Sequence, residues 1–399
     1  MPAPAVATAT ADVTGTEHRG NDWDPRSAAV LAGQVRAYDA MRRRCPVAHS
    51  DYLQSSLFRH ADVVRVLNDS SAFSSAVSTH LNVPNGMDPP QHTAYRRLIE
   101  PYFAAPVLTA FEPECRRIAR NMVDRLPPSA EVEWMDAFAR DCTMQLLCAY
   151  MGWPAALHAP LRDWIRKNHA ATLAQDRAAL ADIAFEFDGH IRAQLALRRA
   201  AGLTGADVTT RLMQERIGGR PLPEAEIVSI VRNWTVGELS TMAACVGIVA
   251  YYLASHPALQ ASLRSDPSGL PAAIDEILRI DPPLIANRRV VRQPVEIGGT
   301  RFAPGSRLSL MWASANRDEA VFGDPDEFRP ERDPASNLLY GAGIHICPGA
   351  PLARMQLRIV AETLLEQVRV IECVPGKPAV SALYPTGGYS SLPLRVQRA

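Results

Sequence analysis

Apolar residues recur three and four positions apart along most of this chain, a period that predicts a mainly helical protein. Between residues 25 and 44, Val30, Leu31, Val35, Tyr38 and Met41 fall on one helical stripe. A short strand is expected around 52–57 and a helix around 60–67. A loop rich in Ser, Asn, Gly and Pro follows over 70–90. Residues 105–215 read as successive amphipathic helices, with breaks at Pro127-Pro128, Pro154 and 202–205. From 227 to 255 nearly every position is apolar, which predicts one long helix buried on all faces. Alternation over 307–310, with turns at Gly298-Gly299 and Pro304-Gly305, predicts a small antiparallel sheet. A final helix follows residue 347, carried by Leu352, Met355, Ile359 and Val360. The stretch 383–396 reads as a hairpin bent at Pro385 and Gly387-Gly388.

Composition narrows the class without naming a chemistry. The 399 residues are 47% hydrophobic, enough for one large core, and no low-complexity block divides them after residue 25. One unit over 26–399 is expected, behind a flexible Ala/Thr-rich leader over 1–25 that lacks the basic start and apolar run of a signal peptide. Lys plus Arg and Asp plus Glu both number 42, so net charge gives no reason to expect nucleic acid. The longest apolar run, 242–254, is shorter than the ~18–20 residues of a membrane span, and no membrane is expected. Seven scattered cysteines without CxxC pairs argue against a disulfide framework or structural zinc, and for a reducing cytoplasm.

One stretch carries chemistry. Residues 339–360 read LYGAGIHICPGAPLARMQLRIV, with Cys347 among Gly341, Gly343 and Gly349 just before a helical pattern. Pro348 suits the first helical position. The helix dipole and the N–H groups from Gly349 onward favour a thiolate. The glycines let the backbone pass close to a flat, bulky group. A thiolate presented this way is a metal ligand or a nucleophile.

The run Tyr340-Gly341-x-Gly343-x-His345-x-Cys347-x-Gly349-x-x-Leu352-Ala353-Arg354 resembles the haem-ligand signature of cytochrome P450 enzymes, with tyrosine where phenylalanine is usual. The resemblance extends over roughly 28–399. It implies a single large fold, mainly α with small β-sheets, a triangular helical prism whose long central helix lies over the haem. It makes Cys347 the metal ligand, with Gly349 beside it, and places His92, Arg96, Arg289 and His345 on the haem propionates. A buried carboxylate requires charged donors of that kind. Glu276 and Arg279, with Arg332, match the family's structural ion pairs and are expected to hold the cysteine loop.

The central helix departs from the family pattern. Aligned on Gly237, the alcohol is Ser240, and Leu239 stands where an acid is usual. The carboxylate, Glu238, comes one residue early, about 100° around the helix. Proton delivery is expected to use Ser240 and Thr241, with a water chain reaching Glu238.

The resemblance implies monooxygenation with haem b as cofactor: two electrons and O2 hydroxylate a C–H bond, or dealkylate when the carbon bears O, N or S. No flavin- or NAD(P)H-binding region is expected, so electrons come from a ferredoxin or a flavoprotein reductase. Arg96, Arg97, Arg116, Arg117, Arg354 and Arg358 are expected to form a basic face for that partner. Val77, Leu81, Trp164, His169, Val236, Gly237, Leu284, Ile285 and Tyr389 are expected around a small, uncharged, apolar or aromatic substrate. The passages around Gly237 and Met87 look like bacterial P450s that attack small aromatic ethers and thiocarbamates. A peroxide-driven peroxygenase, a biosynthetic hydroxylase of a larger natural product, and a haem-thiolate sensor stay open as alternatives.

Overall fold

The apolar stretch near the middle of the chain forms the axis of the protein. In this computed structural model, which describes residues 22–399, a 32-residue helix runs over Glu224–Ser255. Glu224 and Glu226 in its first turn complement the helix dipole, and Pro257 just beyond its end prevents its continuation. It is long and apolar enough to cross a membrane, but 67% of its most apolar window is buried by the surrounding helices. Packing inside the protein therefore accounts for its composition.

The helix is not regular throughout. Between Glu224–Val236 and Ala243–Ser255, residues Gly237–Met242 form a π-turn. A second π-turn, Met135–Ala139, opens the helix Arg140–Met151. The central helix passes close to it: a Cβ on Gly247 would lie 2.5 Å from Met135 Sδ, so any larger residue would require the Met135 side chain to shift.

Around this axis lie the helices Ala105–Asp124, Arg140–Met151 and Ala350–Gln367, with His158–Leu173 and Arg177–Ala200 packed against each other as the outer pair. A five-stranded sheet takes the order Val47–Ser50, Gln54–Leu57, Arg307–Leu310, Asn287–Val291, Phe73–Ser74. It is not wholly antiparallel as expected, because Gln54–Leu57 and Arg307–Leu310 run parallel. A three-stranded sheet joins Val368–Cys373, Pro393–Arg398 and Ser129–Glu133.

Other sequence expectations are corrected here. Of the leader, 1–21 lie outside the described residues, but Trp23 is buried with its ring 5.3 Å from Phe58 and 6.0 Å from Tyr38. The packed chain thus includes part of 1–25. The C-terminal hairpin pairs Val380–Ser381 with Tyr389–Ser391, and Pro393–Arg398 leaves it for the other sheet.

Two buried charge networks lock the long meander before the cysteine. Arg279 meets Glu276 through both Nε and Nη2, at 2.7 and 2.9 Å, and Arg332 Nε reaches Glu276 Oε1 at 3.0 Å. The expected triad is therefore present in space. Asp39 accepts from Arg42 at 2.8 Å and from Arg317 at 2.9 Å, tying an N-terminal helix to the same meander. Asn316 Oδ1 accepts the N–H of Leu338 at 2.7 Å, which fixes the start of the cysteine loop.

Candidate active site

The cysteine loop is moulded on the end of the helix His60–Asn68. Gly343 has φ +68°, and a Cβ there would lie 2.3 Å from the Leu67 carbonyl oxygen. The loop closes when Cys347 N–H donates to the Tyr340 carbonyl at 2.9 Å. Pro348 is not the first helical residue as expected: Gly349 is the N-cap and the helix begins at Ala350. The N–H groups of Gly349 and Ala350 are directed at the sulfur.

Those donors do not produce a free thiolate. Burial, the largest influence, pushes the Cys347 thiol up, against the pull of the Gly349 and Ala350 N–H groups, Arg96 and Arg354. Cys347 nonetheless has an exposed side, as do Val236, Ile344 and Ile346. A thiol that burial keeps protonated becomes a ligand when a metal displaces its proton.

A cluster of cationic and donor groups stands beside the sulfur. The rings of His92 and His345 are 4.2 Å apart, and Nε2 of each is buried without a partner. Burial pushes His345 down to about 3, aided by His92 and Arg289. His92 is lowered by burial and by Arg96. Arg289, 4% exposed, donates only to the neighbouring Arg288 carbonyl and has no carboxylate within ion-pair distance among the described residues. Burial lowers its pKa to about 10. Arg96 donates to the Ile346 carbonyl at 2.5 Å and pairs with Glu100 at 2.8 Å. Unpartnered buried donors are costly, and a ligand with two carboxylates beside an apolar disc satisfies all of them. The donor set, the exposed apolar side chains and the sulfur therefore fit a haem.

Above the central helix, a cavity of about 100 Å³ is lined by Ser240, Leu239, Ile165, His169 and Tyr389, among others. Ser240, His169 and Tyr389 were foreseen there. Trp164 was misplaced: it is buried, packs against Phe187 with ring centroids 4.5 Å apart and donates to the Ile183 carbonyl, as a core residue between the outer helices. Ile285 likewise belongs to the core cluster of Trp23, Tyr38 and Phe58, while Leu284 is bridged to Thr386. Val77 is half-buried and Leu81 exposed in the 70–90 loop. That loop is tied to the central helix where the Leu81 carbonyl accepts from Ser229 Oγ at 3.0 Å. Gly237 has open space on its Cβ side.

Glu238 does not line the cavity. It is buried near Cys115, Cys142 and Gln356, and Glu238 Oε1 and both polar atoms of Gln356 lack hydrogen-bond partners. Burial raises its carboxyl to about 8. The π-turn is the reason the sequence misjudged its direction, because a wider turn breaks the phase of 100° per residue. Arg140, Asn168 and Thr172 also line the cavity and were missed, since nothing separates them from ordinary amphipathic-helix positions. The expected basic face is largely compensated: Arg116, Arg117, Arg354 and Arg358 all pair with nearby carboxylates. Arg97 alone of the six has no ion pair among the described residues.

A sequence profile of the Cytochrome P450 family matches residues 269–383. Over 356 residues the chain is 30% identical to cyclomarin C epoxidase CymV of Salinispora arenicola, spanning 85% of this chain and 89% of the relative. Over 284 residues it is 31% identical to cytochrome P450 107B1 of Saccharopolyspora erythraea, spanning 70% and 68%. The chain belongs to the cytochrome P450 family. Its P450 fold matches the open cytochrome P450 EryK from S. erythraea with a TM-score of 0.83 at 26% identity, over 92% of this chain and 96% of that one. This P450 is an oxidoreductase that uses haem iron; enzymes of the family take O2, a substrate and electrons from redox partners.

Proposed function

We propose that this P450 is a cytoplasmic haem b monooxygenase. It inserts one oxygen atom of O2 into a small apolar or aromatic substrate, by hydroxylation or dealkylation, with electrons from a separate ferredoxin or flavoprotein reductase. The observation that carries the reading is the meeting of Cys347 with four donors, His92, His345, Arg96 and Arg289, drawn from three distant segments. Seven scattered cysteines, with no disulfide among the described residues, support a reducing compartment.

Cys347 would hold the iron through its sulfur, steadied by the Gly349 and Ala350 N–H groups. His92, Arg96, Arg289 and His345 hold the two carboxylates. Bound there, haem supplies oxygen binding and O–O cleavage, which thiolate ligation favours. The protein's part is orientation and access. Val236 and Gly237 lie at the π-turn, and Val77, Leu81, Leu284 and Tyr389 supply substrate contacts. The Ser240 and Thr241 hydroxyls hold water where protons are needed. Glu238 lies buried beside Cys115 and Cys142, outside the lining of the cavity beside Ser240.

Reconstitution tests this reading. The ferrous protein with carbon monoxide is expected to give the absorption band of thiolate-ligated haem, and purified donor proteins with NADH are expected to support product formation from small aromatic ethers. A histidine-type band, or product only with peroxide, overturns it. A second reading, oxidation of a larger natural product, is favoured by the names of two relatives, an epoxidase of cyclomarin C and an erythromycin C-12 hydroxylase. Tight spectral binding of macrocyclic compounds, with none for small aromatics, would decide for it.

A further inference from the structure

Two cavities share one wall. The inner one, against Ser240, has Arg140, Ile165 and His169 in common with an outer one of about 370 Å³. The outer cavity is otherwise lined by charged groups such as Asp136, Asp141, Arg162 and Arg166. Asp136 and Arg166 are mostly exposed, so this cavity opens to solvent. The inner cavity carries Asn168, Thr172, Tyr389 and Ser240, a hydroxyl- and amide-bearing lining of the kind that retains water.

His169 is the imidazole of the shared wall. Its Nε2 lies 3.3 Å from Arg140 Nη2, and Arg140 is fixed in turn by the Ser390 carbonyl at 3.0 Å and by its ion pair with Asp136. The central helix offers this cavity no carboxylate: Leu239 lines it and Glu238 does not.

Each turnover of a monooxygenase consumes two protons, as one oxygen atom enters the substrate and the other leaves as water. We propose that these protons enter through the paired cavities, and that His169 passes them from the outer water to the water beside Ser240. The imidazolium gives its proton to an inner water, and the imidazole is reprotonated from the outer cavity, so the group is restored. This inference rests on the monooxygenase reading. The charged groups facing His169 are Arg140 and Asp136 from the neighbouring helix, Glu133 from the strand before it, and Asp141, Arg162 and Arg166 around the outer cavity. Burial and Arg140 lower its pKa from 6.5, against Asp136 and Glu133, so its protonated form gains as the solution becomes acidic.

The test measures product formed per NADH consumed across about pH 5.5–8.5 for the native enzyme, His169→Gln and His169→Phe. The native ratio is expected to rise as pH falls through a value below 6.5. That value should coincide with the His169 imidazole titration read by NMR in the diamagnetic ferrous carbon monoxide complex of the holoenzyme. Both variants are expected to lose the rise and to run about tenfold lower. In each variant the NADH-driven ratio should fall further than peroxide-driven turnover, which brings its own protons. A native ratio and pH profile in both variants overturns the proposal, as does an NMR titration that misses the pH limb. Equal loss of peroxide-driven turnover also overturns it, by showing a damaged pocket. Absence of product from the native enzyme under both regimes overturns the monooxygenase reading instead.

Discussion

Arg332 Nε lies 3.0 Å from Glu276 Oε1, the same oxygen that accepts the Arg329 N–H at 3.0 Å. One buried carboxylate thus gathers the end of a helix and the meander that leads to Cys347. Removing it strands Arg279, which is 1% exposed. Glu276→Ala is expected to lower stability by about 3–5 kcal/mol and to reduce haem content in step. Denaturant melts and the ratio of haem to protein measure both; a full haem load at normal yield contradicts this.

Arg289 gives a prediction of opposite sign in the two forms of the protein. Its fall from 12.5 to about 10 corresponds to about 3 kcal/mol of unfavourable burial in the haem-free chain. Arg289→Met should therefore stabilise the haem-free protein by about 1–3 kcal/mol while weakening its hold on haem. Chemical denaturation of the haem-free form and haem transfer to apomyoglobin report the two effects separately.

The Glu238 carboxyl carries a pH signature. Its folded pKa, about 8, lies above its ordinary 4.5, so its contribution is fully present below pH 4.5 and is lost as pH rises to about 8. Glu238→Gln removes that loss. The variant should gain on the native protein progressively over this window, by at most about 4–5 kcal/mol. Its ratio of product to NADH is expected to stay within about twofold of native, small beside a true acid–base contribution. A collapse of that ratio would make Glu238 a proton carrier after all.

Cys347→Ser should leave the haem-free fold intact, because the side chain is exposed and packs in no core cluster. The carbon monoxide band of thiolate ligation is expected to vanish, and O2-dependent turnover to fall by at least about 100-fold. Circular dichroism of the haem-free variant beside its spectrum after haem addition checks both halves.

The cysteine loop was legible in the sequence from its glycines and the helix that follows, and its four donors through the family resemblance that the loop carries. Glu276 and Arg279 were legible for the same reason, one helical turn apart. The strand Ser129–Glu133 was not, since its partner Pro393–Arg398 lies more than two hundred residues away and its own short polar run carries no alternation. Trp164 and His169 share one helix of uniform appearance, and only the packing of Phe187 against Trp164 sends one inward and leaves the other on a cavity. Glu238 was misdirected by a π-turn, which leaves no mark in the order of residues.

The contact between Gly343 and the Leu67 carbonyl bears on what a fragment of this protein can do. The stretch 269–383 that matches the family profile contains the sulfur, but the surface that shapes the loop and two of the four donors, His92 and Arg96, are encoded far upstream. Expressed alone, that stretch would offer a cysteine without an address. The geometry proposed to hold iron is a property of the two ends of the chain brought together, and a circular permutant that keeps both halves should retain what a truncation destroys.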